Sequence, residues 1–192
     1  LDTGAAHATK HASGSIPVAF ATSDPRALVG TLARPGRNLT GVTNIGTDIA
    51  AKQLELLHGI VPRASYAAAL ARSNSPATSP FTKEVETAAR SLGLRLDFVF
   101  MRNGSDIERG LQAMTRQRLD IFLVQADALF FQEMNQILRF AALRRLPAMY
   151  GAAEFPRAGG LVSYGTDLPA LYRQLAGHVD RILRGAKAGD LP

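Results

Sequence analysis

The sequence predicts an α/β fold built on a parallel sheet, and three features predict it. Short apolar runs recur at Tyr66–Ala71, Leu94–Met101, Leu119–Val124 and Leu146–Tyr150. Between them lie stretches with apolar residues at helical spacing, the pattern of successive βαβ units. Three of the runs end in polar corners: Ser73–Ser75, Gln125–Asp127 and Tyr150–Phe155. In an open parallel sheet ligands sit beyond the carboxyl ends of the strands, so these corners line one rim.

Taken in order, Leu1–Ser15 has no periodicity and reads as a loop or frayed start. Ile16–Thr22 is a short strand stopped by Ser23-Asp24-Pro25. Asp24 is placed to cap a helix with Pro25 in its first position and Leu28, Val29 and Leu32 on its apolar face. Leu39–Asn44 is a second strand candidate. A helix from Thr47 or Asp48 carries Ala50, Leu54 and Leu57 on one side and ends at Pro62. Phe81, Val85, Ala88, Ala89 and Leu92 define another, running from an N-cap near Ser79 to Gly93. Ser105-x-x-Glu108 is a capping box ahead of Ile107, Leu111 and Met114. Phe130, Met134, Ile137, Leu138 and Ala141 form a third helical stripe. The last helix starts at Thr166 or Asp167 with Pro169 in its first turn. It buries Leu171, Leu175, Val179 and Ile182 and ends at Gly185.

These elements divide into a complete α/β lobe over 63–160 and a partial lobe from 1–62 and 161–192. The flanks hold two strands and a candidate third at Leu161–Tyr164, too little to stand alone. Hinge-like crossings are expected near 61–64 and 159–164.

Composition narrows the function classes. Of 192 residues, 46% are hydrophobic and 20% charged, as in folded domains. No apolar run approaches the roughly 20 residues of a membrane span. Leu1–His11 lacks the apolar core of a secretion signal. With no cysteine, disulfides and thiolate metal sites are excluded. The net charge of +6 is scattered apart from Arg144-Arg145 and the tail Arg181, Arg184, Lys187. It reads as solvated surface, with no nucleic-acid partner implied.

The polar corners carry the candidate chemistry. Ser73, Asn74 and Ser75 lie ahead of a helix N-terminus, where hydroxyls, an amide and backbone N–H groups suit a carboxylate; a capping turn uses the same residues. Asp127, with Gln125 beside it, ends the third run. Its carboxylate suits a ligand ammonium or an N-cap. Tyr150, Glu154 and Phe155 offer an aromatic wall beside a carboxylate, or simply core packing. Thr22, Ser23 and Asp24 end a flanking strand and face the same way, or cap a helix. Ser163 and Tyr164 lie where the chain crosses back and serve as ligand contact or hinge.

Catalytic and metal readings find no support in the residues. There is no G-x-S-x-G, P-loop, G-x-G-x-x-G or H-E-x-x-H pattern. His7 and His11 are four apart but have no acidic partner nearby, and His58 and His178 read as single surface or boundary residues. The expectation is no enzyme and no cofactor.

A family pattern adds to this. Ile16-Pro17-Val18-Ala19-Phe20 before Ser23-Asp24-Pro25 is followed by Arg34-Pro35-Gly36-x-Asn38-Leu39-Thr40-Gly41-Val42. Lys52-Gln53-Leu54-Glu55-Leu56-Leu57, Val61-Pro62 and Gly159-Gly160-Leu161-Val162-Ser163-Tyr164-Gly165 complete the series. In this order they resemble the bacterial ABC-transporter substrate-binding proteins whose aromatic-amino-acid members bind tryptophan or phenylalanine. The resemblance runs from about Ile16 to Pro192. It implies a two-lobed type I periplasmic-binding-protein fold, with the first lobe incomplete in this chain and open to an edge-paired or swapped homodimer. It implies a small-molecule ligand, an amino acid of aromatic or branched type, held in the cleft between lobes. It makes Ser73–Ser75 the ligand loop and Asp127 the partner of the amino group. It further implies ABC permease subunits as partners and a periplasmic or lipid-anchored location. Two other readings stand beside it: the ligand-sensing domain of a regulator, which shares the two-lobed architecture, and a small doubly wound α/β enzyme.

Overall fold

The computed structural model describes residues 14–22, 28–43, 49–75, 77–114 and 118–192, with Thr9 and Pro25 as isolated positions. Two compact units emerge. The larger is Gly46–Gly165, and the smaller joins Leu1–Ile45 to Thr166–Pro192.

In the larger unit the strands are β3 (Tyr66–Arg72), β4 (Arg95–Met101), β5 (Ile121–Val124), β6 (Ala148–Tyr150) and β7 (Val162–Ser163). All pairs are parallel, in the order β4-β3-β5-β6-β7. The helices are α1 (Ala50–Ile60), α2 (Thr78–Ser91), α3 (Ser105–Met114), α4 (Ala128–Gln132), α5 (Met134–Arg144) and α6 (Glu154–Arg157). Strand alternation sorts the core into two faces. Ala67, Ala69, Ala71, Ile121, Leu123 and Met149 pack with α1 and α2. Ala68, Leu70, Phe122, Val124, Ala148 and Tyr150 pack with α3, α4, α5 and Phe155 of α6. The expected α/β class, with a parallel sheet flanked by helices, is the one found.

At the amino ends of the strands, Asp120 ties β5 to β3. Its Oδ2 accepts from the Ser65 N–H at 2.8 Å, the Ser65 hydroxyl at 3.1 Å and the Tyr66 N–H at 3.0 Å. Those donors, the Ser65 N–H foremost, hold the Asp120 carboxyl below its ordinary range against the opposing effect of burial.

The smaller unit pairs β1 (Val18–Thr22) with β2 (Leu39–Thr43) in parallel. It adds α7 (Leu168–Leu183) and a 3-10 turn at Ala188–Asp190. Phe20, Leu28, Val29 and Leu39 form one cluster. On the other side Thr40, fully buried, donates its hydroxyl to the Leu191 carbonyl at 2.9 Å and meets His178 Nδ1 at 3.0 Å. A hydroxyl has one proton to give, so His178 Nδ1 must carry the hydrogen and donate to Thr40.

Several expectations are corrected. The division falls at 45/46 and 165/166, so both expected crossings, 61–64 and 159–164, lie inside the larger unit. Helix α1 belongs there because Ala50, Leu54 and Leu57 are fully buried in its core, and Gln53 Nε2 donates to the Tyr164 carbonyl at 2.6 Å. The candidate strand at Leu161–Tyr164 is β7, which pairs with β6 rather than with the flanking strands. Thr47 and Asp48, expected to start α1, lie outside the described residues, as do Ser23, Asp24, His7 and His11. Of the helix expected from Pro25, residues 26 and 27 also lie outside the described residues; the Leu28 and Val29 N–H groups donate to the Pro25 carbonyl, and Leu32 is exposed.

Cap positions also shift. Helix α2 starts at Thr78 after Ala77, ahead of the expected Ser79 cap. At α3 the end is held by Asn103 Oδ1, which accepts from the Ser105 N–H, and by Asp106, which accepts from the Arg102 N–H; the Ser105–Glu108 box is not the cap. The third stripe is two helices, interrupted at Glu133. On α7, His178 takes the buried seam position and Val179 is 39% exposed, because Thr40 supplies the imidazole with a partner.

Two outcomes follow. Thr40→Val strands the His178 N–H and the Leu191 carbonyl and costs about 1–3 kcal/mol in urea unfolding. For Asp120, whose folded carboxyl titrates lower than in the unfolded chain, the stabilisation is complete above about pH 4 and lost as pH falls through the folded value. The stability gap between wild type and Asp120→Asn therefore closes on acidification, which urea titrations from pH 7 to pH 2.5 would show.

Candidate functional site

The register sets the carboxyl ends of three strands side by side: Leu70 pairs Val124, and Val124 pairs Tyr150. Just past those positions stand Arg72, Gln125 and Asp127. Gln125 Oε1 accepts from the Arg72 backbone N–H at 2.9 Å, which fixes the amide orientation and turns Nε2 away from that strand. Arg72 Nη1 meets Asp127 Oδ1 at 3.1 Å. The same Oδ1 accepts from the Leu129 N–H at 2.9 Å, making Asp127 the N-cap of α4. Arg72 Nε and Gln125 Nε2 are both buried without an acceptor among the described residues. Buried donors of this kind call for a bound acceptor, either water or ligand.

The β3 corner is braced from within. The Ser73 N–H and hydroxyl both donate to the Met101 carbonyl, at 2.9 and 3.3 Å. The Ser75 hydroxyl accepts from the Ala77 N–H at 3.4 Å, and the Thr78 hydroxyl donates to the Arg72 carbonyl. Asn74 is exposed. Beside this corner opens a cleft of about 460 Å³ lined by Ser73, Phe100, Met101, Arg102, Asp106 and Arg109.

The ends of β5, β6 and β7 crowd together at the same rim. A Cβ on Gly165 would lie 2.0 Å from the Gly151 carbonyl oxygen, and one on Gly151 would lie 2.6 Å from Ala126 Cβ. Tyr164 is locked between its N–H on the Tyr150 carbonyl at 3.0 Å and its carbonyl under Gln53.

A family model described as ABC transporter substrate binding protein matches residues 1–192. The chain belongs to that family. Solved structures share its fold. The ABC domain from Streptococcus pneumoniae, in complex with L-Trp, has a TM-score of 0.82 at 26% identity, over 98% of this chain and 65% of its own. A conserved domain protein from Vibrio cholerae O1 biovar El Tor has a TM-score of 0.85 at 23% identity, over 97% and 63%. The ligand-free, open form of a substrate binding protein with adhesive properties from Clostridium difficile has a TM-score of 0.66 at 23% identity, over 97% and 63%. This chain thus spans just under two thirds of the length of these neighbours. No curated protein sequence matches it. No helix among the described residues is long and apolar enough to cross a membrane.

Within this member of the family, the larger unit brings Ser73, Asn74, Ser75, Gln125 and Asp127 to one rim. Tyr150 and Phe155 do not join them as a wall. Both are at most 2% exposed and stack on each other, centroids 4.6 Å apart, inside the core. The pleat is the reason, since it turns Tyr150 toward the α5 and α6 side. There its ring lines an apolar cavity of about 320 Å³ with Leu146 and Pro147, which precede β6. Burial pushes the Tyr150 hydroxyl up to about 12. Glu154 sits in the first turn of α6, 3.8 Å from Arg157. Ser163 lies in β7, while Tyr164 is 45% exposed. Thr22, in the smaller unit, is fully buried.

Sequence reasoning missed Arg72 as a rim residue. The available signal was a cation directly ending an otherwise apolar strand, with an acid at the end of another. It also passed over Gly151. Gly165→Ala should cost about 1–3 kcal/mol through forced overlap. Gly59→Ala, in open space on α1, should be neutral or gain up to about 1 kcal/mol; denaturant midpoints measure both.

Proposed function

We propose that this chain is the solute-binding component of an ABC uptake transporter and takes an amino acid with an aromatic or branched side chain. The observation that carries the reading is the rim itself, in a chain of this family. Asp127 is fixed through Oδ1 by the Leu129 N–H and Arg72, which leaves Oδ2 for an ammonium group. Gln125 Nε2 is a buried donor awaiting an acceptor. The Ser73–Ser75 corner is the place for the ligand carboxylate. Apolar burial of the side chain supplies most of the affinity, and the few oriented polar groups supply selectivity. No bond is made or broken. The L-Trp held by the pneumococcal neighbour supports the aromatic choice. Permease subunits are the partners, and the location is periplasmic or lipid-anchored.

Isothermal titration against the L-amino acids tests this. An aromatic or branched member should bind with micromolar or tighter Kd. Asp127→Asn keeps a capping side chain but removes the charge, and should weaken binding at least about tenfold. The same variant should leave binding of the analogue lacking the amino group unchanged. Silence across the panel, or equal loss for both ligands, contradicts the assignment.

A further inference from the structure

Strand β4 ends the five-stranded sheet, and no strand among the described residues pairs with its outer side. The register shows which groups face that side. Arg95 pairs Tyr66, the Arg95 N–H donates to the Ser65 carbonyl at 2.8 Å, and the Met101 carbonyl accepts from the Ser73 N–H at 2.9 Å. Backbone groups alternate along a strand, so Arg95, Asp97, Val99 and Met101 turn theirs toward β3. Leu96, Phe98 and Phe100 turn theirs outward.

The same three residues share one face. Leu96 and Phe98 pack partly on the core beneath α2. Phe98 and Phe100 stack with centroids 5.8 Å apart, and Phe100 is 52% exposed. Exposed edges in soluble proteins are usually blunted by Lys, Pro, a bulge or short length. β4 runs for seven residues, Arg95–Met101, with neither Lys nor Pro. Its two charges, Arg95 and Asp97, lie 3.6 Å apart and point away from the apolar row.

We propose that this edge is a homodimer interface, occupied by a second copy of the chain running antiparallel about a two-fold axis at Phe98. In that register Phe98 meets its own counterpart and Leu96 meets the counterpart of Phe100. Each such pair exchanges both N–H···O bonds, so every outward backbone group of both strands is satisfied. The Leu96–Phe98–Phe100 rows join into one apolar stripe. On the reverse face Asp97 lies opposite Val99 and Arg95 opposite Met101, so no like charges meet. Neighbouring registers do worse. Centring on Asp97 sets two carboxylates against each other, and centring on Val99 carries Leu96 past the end of the strand. Self-complementarity of backbone, apolar row and charge together selects another copy of this chain as the occupant.

Sedimentation equilibrium of the whole chain should report twice the 20.5 kDa protomer mass. Phe100→Lys, at an exposed site, should weaken association at least about tenfold with circular dichroism unchanged. The chain has no cysteine, so Phe98→Cys gives a clean second readout. A hydrogen-bonded antiparallel pair sets these Cα atoms about 5.5 Å apart, within disulfide reach. Mild oxidation should cross-link Phe98→Cys and not Arg90→Cys on α2. A monomer at about 100 μM, a dimer indifferent to Phe100→Lys, or absence of the Phe98→Cys cross-link each overturns the proposal.

Discussion

The larger unit depends on one constraint: β3 is buried on both faces and bonded on both edges. Ala67, Ala68, Ala69, Leu70 and Ala71 are at most 1% exposed, with β4 on one side and β5 on the other. Alanine is a poor strand former by propensity, so burial and pairing rather than local preference make this a strand. Its small side chains let the helix layers approach from both sides. The α1 and α2 layer then packs against Ala67, Ala69 and Ala71, and the α3 and α5 layer against Ala68 and Leu70. Because β3 is central, whatever follows it lands in the middle of the carboxyl rim. Arg72 and Ser73 follow it.

At that rim, most polar groups hold the corner as well as face outward. Ser73 and Ser75 are engaged in turn hydrogen bonds, and Asp127 caps α4 while pairing with Arg72. Such a rim is rigid before any ligand arrives, which reduces the ordering cost of binding. What it offers a ligand is the remainder: one carboxylate oxygen, an exposed amide at Asn74 and two unpartnered buried donors. A zwitterion presents the matching acceptor and donor groups.

Much of this was legible in the sequence, for physical reasons. The strand runs, helix stripes and polar corners follow from periodicity and turn chemistry, and the family pattern lies in ordered short motifs. The errors have causes too. Tyr150 and Phe155 were expected at the rim from their place at the end of the fourth run, but strand alternation turns Tyr150 into the core, and Phe155, on α6, stacks on it there. His178 was expected at the surface or the boundary because nothing local reveals Thr40 as its partner, 138 positions away. Helix α1 was assigned to the wrong unit because its apolar stripe does not say which sheet it covers. Pairwise commitments such as Arg72 with Asp127 depend on strand register, which composition and periodicity leave open.

The central claim is that solute binds at the carboxyl rim of the β4-β3-β5-β6-β7 sheet. Amide chemical shifts in ¹⁵N-labelled protein titrated with L-tryptophan test it most directly. The account predicts saturable shifts concentrated at Ser73–Ser75 and Gln125–Leu129. Shifts centred instead on Leu146, Pro147 and Gly160, around the opposite cavity, would contradict it.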